Sequence, residues 1–404
     1  MKEYQLSQLI EIKHGYAFDG EHIVTEDNGV VLVTPGNFKI GGGFQEEKCK
    51  FFTGEIPEEY ILSAGDYIVT MTDLSKTIDT LGYSAIVPQS KNRTYLHNQR
   101  IGLIKFISDE CDPDYIYYLM QTHKYQRAIA NTSTGATVHH TSPSKIREYK
   151  FSAPDVQIQR RVAKTLRAYD DLIENNQKQI KLLEEAAQRL YKEWFVDLRF
   201  PGYENTPLID GVPQGWRLDI VKSVVSLLSG YAFKSSDFVD NGKYSIVTIK
   251  NVQDGNFDGE NVNTIAEIPS KMPSYCILNN GDILLSLTGN VGRVCLVNGD
   301  NYLLNQRVAK LDSKYPAYAY CLFRNKDMFD IMSNLANGAA QQNLSPIRTE
   351  NVRILIPSDS LIQKLEDIVS PMIAKMLVLN KSNSNLKQAR DRLLPKLMSG
   401  ELEV

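Results

Sequence analysis

The sequence lacks the features that would place it in a membrane or in an oxidising compartment. Its 404 residues contain no apolar run long enough to span a bilayer, and the N-terminal residues have no basic stretch followed by an apolar core. The five cysteines form no Cys-x-x-Cys pair, which argues against a zinc ribbon and a disulfide framework. We therefore expect a protein of the reducing cytoplasm, with neither a secretion signal nor a membrane span.

Motifs of the common enzyme classes are absent as well. The sequence has no GxxxxGK[ST] phosphate loop, no GxGxxG after a strand, and no adjacent prolines, which excludes the [DNS]PP[YFW] motif of amino-methyltransferases. All six histidines precede residue 141, and the pair His139 and His140 alone does not make a metal site. We interpret Asp66, Asp73 and Asp282 as turn residues. The chain is therefore predicted to be non-catalytic, with no metal or cofactor of its own.

An excess of positive charge is missing too. The formal net charge is −3, and residues 1–154 hold 15 basic and 19 acidic side chains, against 14 and 15 in residues 200–357. Nucleic-acid binders usually carry a basic surface, so bulk charge argues against that class. Contact with DNA would have to come from local patches or from a partner that supplies positive charge.

The strongest positive signal is a pair of seams in which apolar residues recur at alternating steps of four and three, the pattern of a coiled coil. The first seam consists of Val162, Leu166, Tyr169, Ile173, Asn176, Ile180, Leu183, Ala187, Leu190 and Trp194. The second lies 203 residues later and consists of Leu365, Val369, Met372, Met376, Leu379, Asn383, Leu386, Arg390, Leu393 and Leu397. They predict long helices within residues 155–196 and 358–404.

We expect these helices to pack antiparallel. A parallel pair would require the segment between them to bridge the whole helix length, about 50 Å for 33 residues. It would also bury Asn176 against Leu379, whereas the antiparallel pair sets Asn176 against Asn383. An unpaired buried amide costs about 1–3 kcal/mol. The alternative is two amphipathic helices that pack on their own domains. Pro371 predicts a kink or a restart in the second helix.

The segments before the two helices resemble each other. Gly-Tyr-Ala-Phe at 15–18 returns at 230–233, and Asn-Gln-Arg at 98–100 returns at 305–307. Both segments are rich in short strands and turns, and the first also predicts a helix at about 112–130. The predicted fold is therefore α+β, with β-rich domains at 1–154 and 197–357, each followed by a long helix.

The candidate binding residues are polar side chains, most of them in loops that differ between the two copies. Asn and Gln suit adenine, Arg and Lys suit guanine, and Ser and Thr contact either. The alternative is that these loops are merely solvated, and Arg100 and Arg307 could be scaffold or phosphate anchors. The candidates are Lys39, Gln45, Thr72, Ser75, Lys76, Arg100, His139, His140, Lys145, Lys250, Gln253, Asn256, Thr288, Asn290, Arg293, Arg307, Gln341, Gln342 and Asn343.

Over essentially its full length the chain is similar to the DNA-specificity subunits of type I restriction-modification systems. The resemblance is carried by the duplicated plan, the strand 281–287 that leads into Thr-Gly-Asn-Val-Gly, and Asn-Gln-Arg-Val-Ala at 305–309. The Ser-Pro loops before each helix and the helix endings at 194–197 and 393–400 complete it.

The resemblance implies a non-catalytic subunit in which each target-recognition domain reads one half of a split site in double-stranded DNA. The helices would set the gap between the halves. They would also dock two methyltransferase subunits, which hold S-adenosylmethionine and flip the adenine. Restriction subunits would join that core to cleave DNA.

Two hypotheses from other classes stay open. One is an enzyme with an atypical site. The other is a coiled-coil adaptor whose two β-rich heads bind protein and have no role on DNA.

Overall fold

The structure is a computed structural model that describes residues 1–75, 77–135, 137–260, 262–336 and 342–403. The chain forms two compact units. Unit 1 comprises Met1–Asp171 with Leu386–Val404, and unit 2 comprises Leu172–Asn385. Each long helix contributes one segment to each unit.

Unit 1 contains short strands in two main sheets and three short helices before the first long helix. The strands are β1 (Lys2–Gln5), β2 (Ile10–His14), β3 (Ile23–Val24), β4 (Val30–Val33), β5 (Lys50–Phe52), β6 (Ile61–Leu62), β7 (Tyr67–Thr70), β8 (Thr72–Asp73), β9 (Ser84–Ile86), β10 (Thr94–His97), β11 (Ile101–Phe106), β12 (His139–His140) and β13 (Lys150–Ala153). The helices are α1 (Pro113–Leu119), α2 (His123–Asn131), α3 (Pro143–Arg147) and the long helix α4 (Val156–Tyr191).

The sheets of unit 1 run β2-β11-β7-β9 and β3-β5-β4-β10-β6. Strand β7 is buried over Ile68 and Val69 because it lies inside its sheet. The single helix predicted at 112–130 is wrong in one respect, since the segment forms α1 and α2. The hydroxyl of Thr122 accepts the backbone N–H of Tyr125 and so begins a second helix.

Unit 2 repeats this plan. Its strands are β14 (Leu208–Ile209), β15 (Val212–Pro213), β16 (Arg217–Ile220), β17 (Ser226–Ser229), β18 (Tyr244–Val247), β19 (Asn263–Ile265), β20 (Ile277–Leu278), β21 (Ile283–Ser286), β22 (Val294–Leu296), β23 (Tyr302–Leu304), β24 (Val308–Asp312) and β25 (Arg353–Ile356). Its helices are α5 (Pro316–Arg324), α6 (Lys326–Leu335), α7 (Pro346–Glu350) and the long helix α8 (Asp359–Ser399). The sheet β17-β24-β21-β22 matches β2-β11-β7-β9, and β19-β18-β23-β20 matches β5-β4-β10-β6.

The shared Gly-Tyr pair has the same function in both units. A Cβ on Gly15 would lie 2.2 Å from the carbonyl oxygen of Asn98, and one on Gly230 would lie 2.3 Å from that of Asn305. The tyrosine that follows each glycine bridges to that asparagine, Tyr16 to Asn98 and Tyr231 to Asn305. Only glycine allows this approach of two backbones, which explains why the motif occurs twice.

The two long helices pack against each other in antiparallel fashion. In unit 1 the start of α4 packs with the end of α8, where the Asp170 carboxylate pairs with Arg390 at 2.5 Å. In unit 2 the end of α4 packs with the start of α8, where the Asn176 amide donates to Asn383 Oδ1 at 2.9 Å. The predicted fold class is therefore confirmed. All of the seam positions are buried or half-buried, and α8 runs through Pro371 without a restart.

Candidate nucleic-acid interface

In unit 2, three separate stretches of backbone meet at one sheet end. The N–H of Leu287 donates to Arg307 O at 2.9 Å, and the N–H of Leu344 donates to Leu287 O at 2.7 Å. Thr288 then pairs with Asn343, and its hydroxyl donates to Asn343 Oδ1 at 3.3 Å. Apart from the last one, which uses the Asn343 carboxamide, these bonds join backbone groups, so they hold the strands in place whatever the side chains are.

The result is an open polar cleft of about 420 Å³ lined by Thr288, Gln306, Arg307 and Asn343. We call these four positions the polar edge of unit 2. Gln306, Arg307 and Asn343 are exposed, whereas Thr288 is half-buried. A guanidinium and two carboxamides therefore face the same opening, with both donors and acceptors available.

Unit 1 has the same frame. The N–H of Met71 donates to Arg100 O at 2.9 Å, and the N–H of Thr141 donates to Met71 O at 3.0 Å. Strand β8 pairs Thr72 with His140 of β12, and the two side chains approach to 3.1 Å between Oγ1 and Nδ1. The polar edge of unit 1 is therefore Thr72, Gln99, Arg100 and His140.

Three of the four polar-edge residues are identical in the two units, and the fourth differs. Each unit carries Thr, Gln and Arg at matched places. The two glutamines are equivalent because the backbone N–H of Gln99 donates to Tyr16 O and that of Gln306 donates to Tyr231 O. The variable position is His140 in unit 1 and Asn343 in unit 2. Gln99 and Gln306 are not among the candidates predicted from sequence. Their place between Asn and Arg in the repeated tripeptide was the available signal.

A second polar group of unit 2 joins three of the predicted candidates. The Arg293 guanidinium donates to Gln253 Oε1, and the Gln253 amide donates to Lys250 O at 2.6 Å. Lys250, Asn256 and Asn290 are exposed, as is Gln342, whose carbonyl accepts the N–H of Gly289 at 3.1 Å.

The matching loop of unit 1 is arranged differently. Gln45 turns inward, and its amide donates to Gly36 O at 2.9 Å and to Phe38 O at 3.0 Å. Lys39 is exposed as a residue, but the surrounding protein desolvates its ammonium and lowers its pKa, and the charges of Lys387 and Arg390 lower the pKa further.

Among the remaining candidates of unit 1, Ser75 and His139 both adjoin Asp73. The Ser75 hydroxyl donates to Asp79 at 2.8 Å, and the Lys145 ammonium lies 3.1 Å from Glu148. His139 is half-buried opposite Asp73. Lys76 and Gln341 lie outside the residues that the structure describes.

The three aspartates interpreted as turn residues accept hydrogen bonds from nearby backbone groups. Asp66 accepts the N–H of Ser63 at 2.9 Å, and Asp282 accepts that of Asn279 at 2.8 Å. Burial opposes ionisation of Asp73, but hydrogen bonds from Thr80 and Ser75 together lower its pKa. Within the described part of the chain, no group of three or more His, Cys, Asp or Glu side chains could hold a metal ion. No described helix is long and apolar enough to cross a membrane.

The chain is similar in sequence and in fold to known proteins. The family described as the type I restriction modification DNA specificity domain matches residues 1–185 and 213–388. The chain is 30% identical over 305 residues to the specificity subunit of type I restriction enzyme MjaIX from Methanocaldococcus jannaschii, covering 72% of this chain and 69% of that one. It is 21% identical over 426 residues to the EcoBI specificity subunit from Escherichia coli, covering 98% and 85%.

A solved structure shows the same fold. The S subunit of a type I restriction-modification system from M. genitalium superposes with a TM-score of 0.58 at 17% identity, covering 98% of this chain and 96% of that one. The family match extends over both β-rich segments and most of both long helices. The chain therefore belongs to the type I restriction-modification DNA specificity family, and it is a non-catalytic specificity subunit.

Proposed function

We propose that each β-rich domain reads one half of a bipartite DNA site, with the recognition domains at 1–154 and 197–357. The observation that carries this proposal is the polar edge, which occurs twice with the same Thr-Gln-Arg frame and a different fourth side chain. A scaffold role alone gives no reason for an edge whose glutamine, arginine and fourth side chain are all exposed while only the fourth one changes. Two recognition domains that prefer different bases would account for the different fourth side chain.

The chemistry of the fourth position supports different base preferences. Asn343 Oδ1 accepts from the Thr288 hydroxyl with one lone pair, which leaves its second lone pair and its amide N–H groups for a ligand. His140 spends Nδ1 on Thr72, so that Nε2 remains for a ligand. A carboxamide favours the adenine edge in the major groove, and an imidazole offers a single donor or acceptor instead.

The shared arginines fit a role common to both halves. Arg100 and Arg307 are exposed, and their backbone groups hold the frame. A guanidinium at such a place binds a phosphate bidentately or pairs with guanine O6 and N7. Lys39, Lys145, Lys250, Asn256, Asn290, Arg293 and Gln342 are proposed as further DNA contacts, together with Gln45, Ser75, His139, Gln253, Lys76 and Gln341.

The helix pair is proposed to set the gap between the half-sites and to dock two methyltransferase subunits. Its seam side chains pack against each other, whereas Leu172, Leu182 and Val378 lie on the outer faces with 51%, 64% and 61% of their surface exposed. These outer faces are available to a protein partner. Partner subunits would also supply the positive charge that this chain lacks, together with S-adenosylmethionine and, with restriction subunits, cleavage.

Selection of bound duplexes from a random library tests the proposal. The full chain with its methyltransferase subunit should enrich a motif of two short halves separated by an unread gap. His140→Ala should then change only one half, and Asn343→Ala only the other. The matched controls are His123→Ala and Asn205→Ala, which remove exposed side chains of the same types away from the polar edges. A pool without any motif would refute the proposal and favour the protein-binding adaptor.

A further inference from the structure

The turn at 253–256 of unit 2 is connected to the interior by an unusual ion pair. Asp254 and Gly255 form the tip of the turn, which the N–H of Gln253 closes on Asn256 O at 3.0 Å. Arg324, at the end of α5, pairs with the Asp254 carboxylate. The Asp254 side chain is 69% exposed, whereas that of Arg324 is only 14% exposed. The guanidinium therefore contacts the turn from the protein interior.

Arg324 is held at its other side by the long helix. Its Nε donates to Glu184 Oε1 at 3.0 Å, and the Tyr320 hydroxyl donates to Glu184 Oε2 at 2.7 Å. The Glu184 side chain is 16% exposed, so the pair is shielded from solvent far better than an ordinary surface ion pair. One planar guanidinium thus links α4 to the tip of the turn, with a geometry that lysine could not reproduce.

The backbone of the turn is adapted to this guanidinium. Gly255 has a φ of +73°, and a Cβ there would lie 2.8 Å from a terminal nitrogen of Arg324. The neighbouring Gln253 binds Arg293. A continuous set of side chains therefore runs from Glu184 through Arg324 and the turn to Arg293.

Unit 1 has a different pair at the matched positions. Pro113 and Pro316 begin α1 and α5, so Gln121 takes the place of Arg324. The N–H of Gly43 donates to Ser84 O, and the N–H of Gly255 donates to Val294 O, both at 2.9 Å. These equivalent bonds match Gly43 with Gly255, so Gly42 occupies the position that Asp254 has in unit 2. A Cβ on Gly42 would lie 2.4 Å from Gln121 Cγ. An Arg–Asp pair in one copy therefore corresponds to close Gln–Gly packing in the other.

We infer that Arg324 is a positioning residue for base recognition by unit 2, acting through Asp254 on the turn that carries Gln253. This rests on the proposed function. A carboxylate that faces DNA is repelled by phosphate, so an exposed Asp254 on a loop that contacts DNA would weaken binding unless it has a structural role. The pairing of Asp254 with Arg324 is that role, because the pair holds the turn in place. The turn in turn sets the direction of the Gln253 amide and of the Arg293 guanidinium.

The test compares Asp254→Asn, Arg324→Gln and the double variant in the same duplex selection, with the full chain and its methyltransferase subunit. Each variant should lower the preference for one or two base pairs of the second half-site by at least about fivefold. The first half-site is the internal reference and should stay unchanged. The double variant should match the single ones, because the two side chains act as a unit. Arg353→Gln removes an exposed charge from β25 of the same unit and should leave the motif unaltered.

Several results would overturn the inference. One is a uniform loss of affinity for all duplexes with Arg324→Gln, which indicates a phosphate contact. Another is a normal motif with Asp254→Asn, which remains informative even if Arg324→Gln fails to fold, because Asp254 is exposed. Failure of the proposed function itself is distinguishable, since the wild-type chain would then enrich no bipartite motif at all.

Discussion

Lengthening the helix pair should lengthen the unread gap without changing either half-site. The insertion points lie beside the Asn176–Asn383 hydrogen bond, between Gln177 and Lys178 in α4 and between Lys381 and Ser382 in α8. In the antiparallel pair these two breaks face each other. Whole heptads inserted at both points preserve the seam, whereas an insertion into one helix alone would shift every layer beyond it.

The size of the insertion decides the outcome. One heptad adds about 10 Å at 1.5 Å per residue, which corresponds to about three base pairs at 3.4 Å each. Three base pairs turn the duplex by about 100°, so a domain moved by one heptad would face the wrong side. Three heptads add about 31 Å, or about nine base pairs, which is close to one helical turn. We therefore expect strong binding with three heptads at a gap longer by about nine base pairs, and weak binding with one.

The assay is selection from duplex libraries in which the gap varies over one and a half helical turns. The variant with three heptads in both helices should enrich both original half-sites at the longer gap. The control places the same 21 residues in α4 alone and should enrich no bipartite motif. An unchanged gap with intact half-sites would refute the proposed spacing function of the helices. New half-sites would refute the division between reading domains and spacer.

Three further predictions concern stability, measured by denaturant unfolding of the full chain. Asn176→Leu should cost about 1–3 kcal/mol because it leaves the buried Asn383 amide unpaired, and changing both residues to Leu should restore most of that loss. Gly15→Ala should cost about 1–3 kcal/mol through its clash with backbone, whereas Gly20→Ala, with no atom within 4 Å of the added Cβ, should be nearly neutral. The lowered pKa of Asp73 means that its ionised form contributes stability above the pKa of an unfolded aspartate. That contribution should disappear as pH falls through the lowered folded value, and Asp73→Asn should remove this acid sensitivity. An equal response of wild type and variant to acid would contradict the last prediction.

The helical part of the fold could be predicted from sequence because its rule is local. A seam that repeats every three or four residues determines which faces are buried, and the seam asparagines determined the direction of pairing. The hydrogen bond between Asn176 and Asn383 follows from the positions of the two residues in their seams, once the helices are set antiparallel. The break between α1 and α2 was missed because Thr122 ends one helical pattern and begins the next without an interruption in apolar spacing.

The arrangement of the polar edges was only partly predictable. The repeated tripeptide identified Arg100 and Arg307. Their neighbours in space lie 28 and 40 residues away along the chain in unit 1, and 19 and 36 residues away in unit 2. The backbone hydrogen bonds that bring these segments together require no particular side chains, so the sequence does not reveal them. Gln45 shows the same limit. Its sequence resembles that of a reading loop, yet its amide is used inside the loop because two carbonyls lie within reach.

The backbone frame of the two units allows the fourth polar-edge side chain to change while the fold is kept. The frame of each polar edge is held by backbone groups of residues such as Leu287 and Met71, so replacing the side chain at 140 or 343 disturbs few other contacts. We expect the turn at 253–256 to behave differently, because the Arg324 guanidinium and the Asp254 carboxylate pair with each other. Changes at the edge should therefore be tolerated singly, whereas changes at the turn should require paired substitutions. Exchanging His140 and Asn343 between the units would test the first half of this statement, and converting Arg324 and Asp254 to Gln and Gly, singly and together, would test the second.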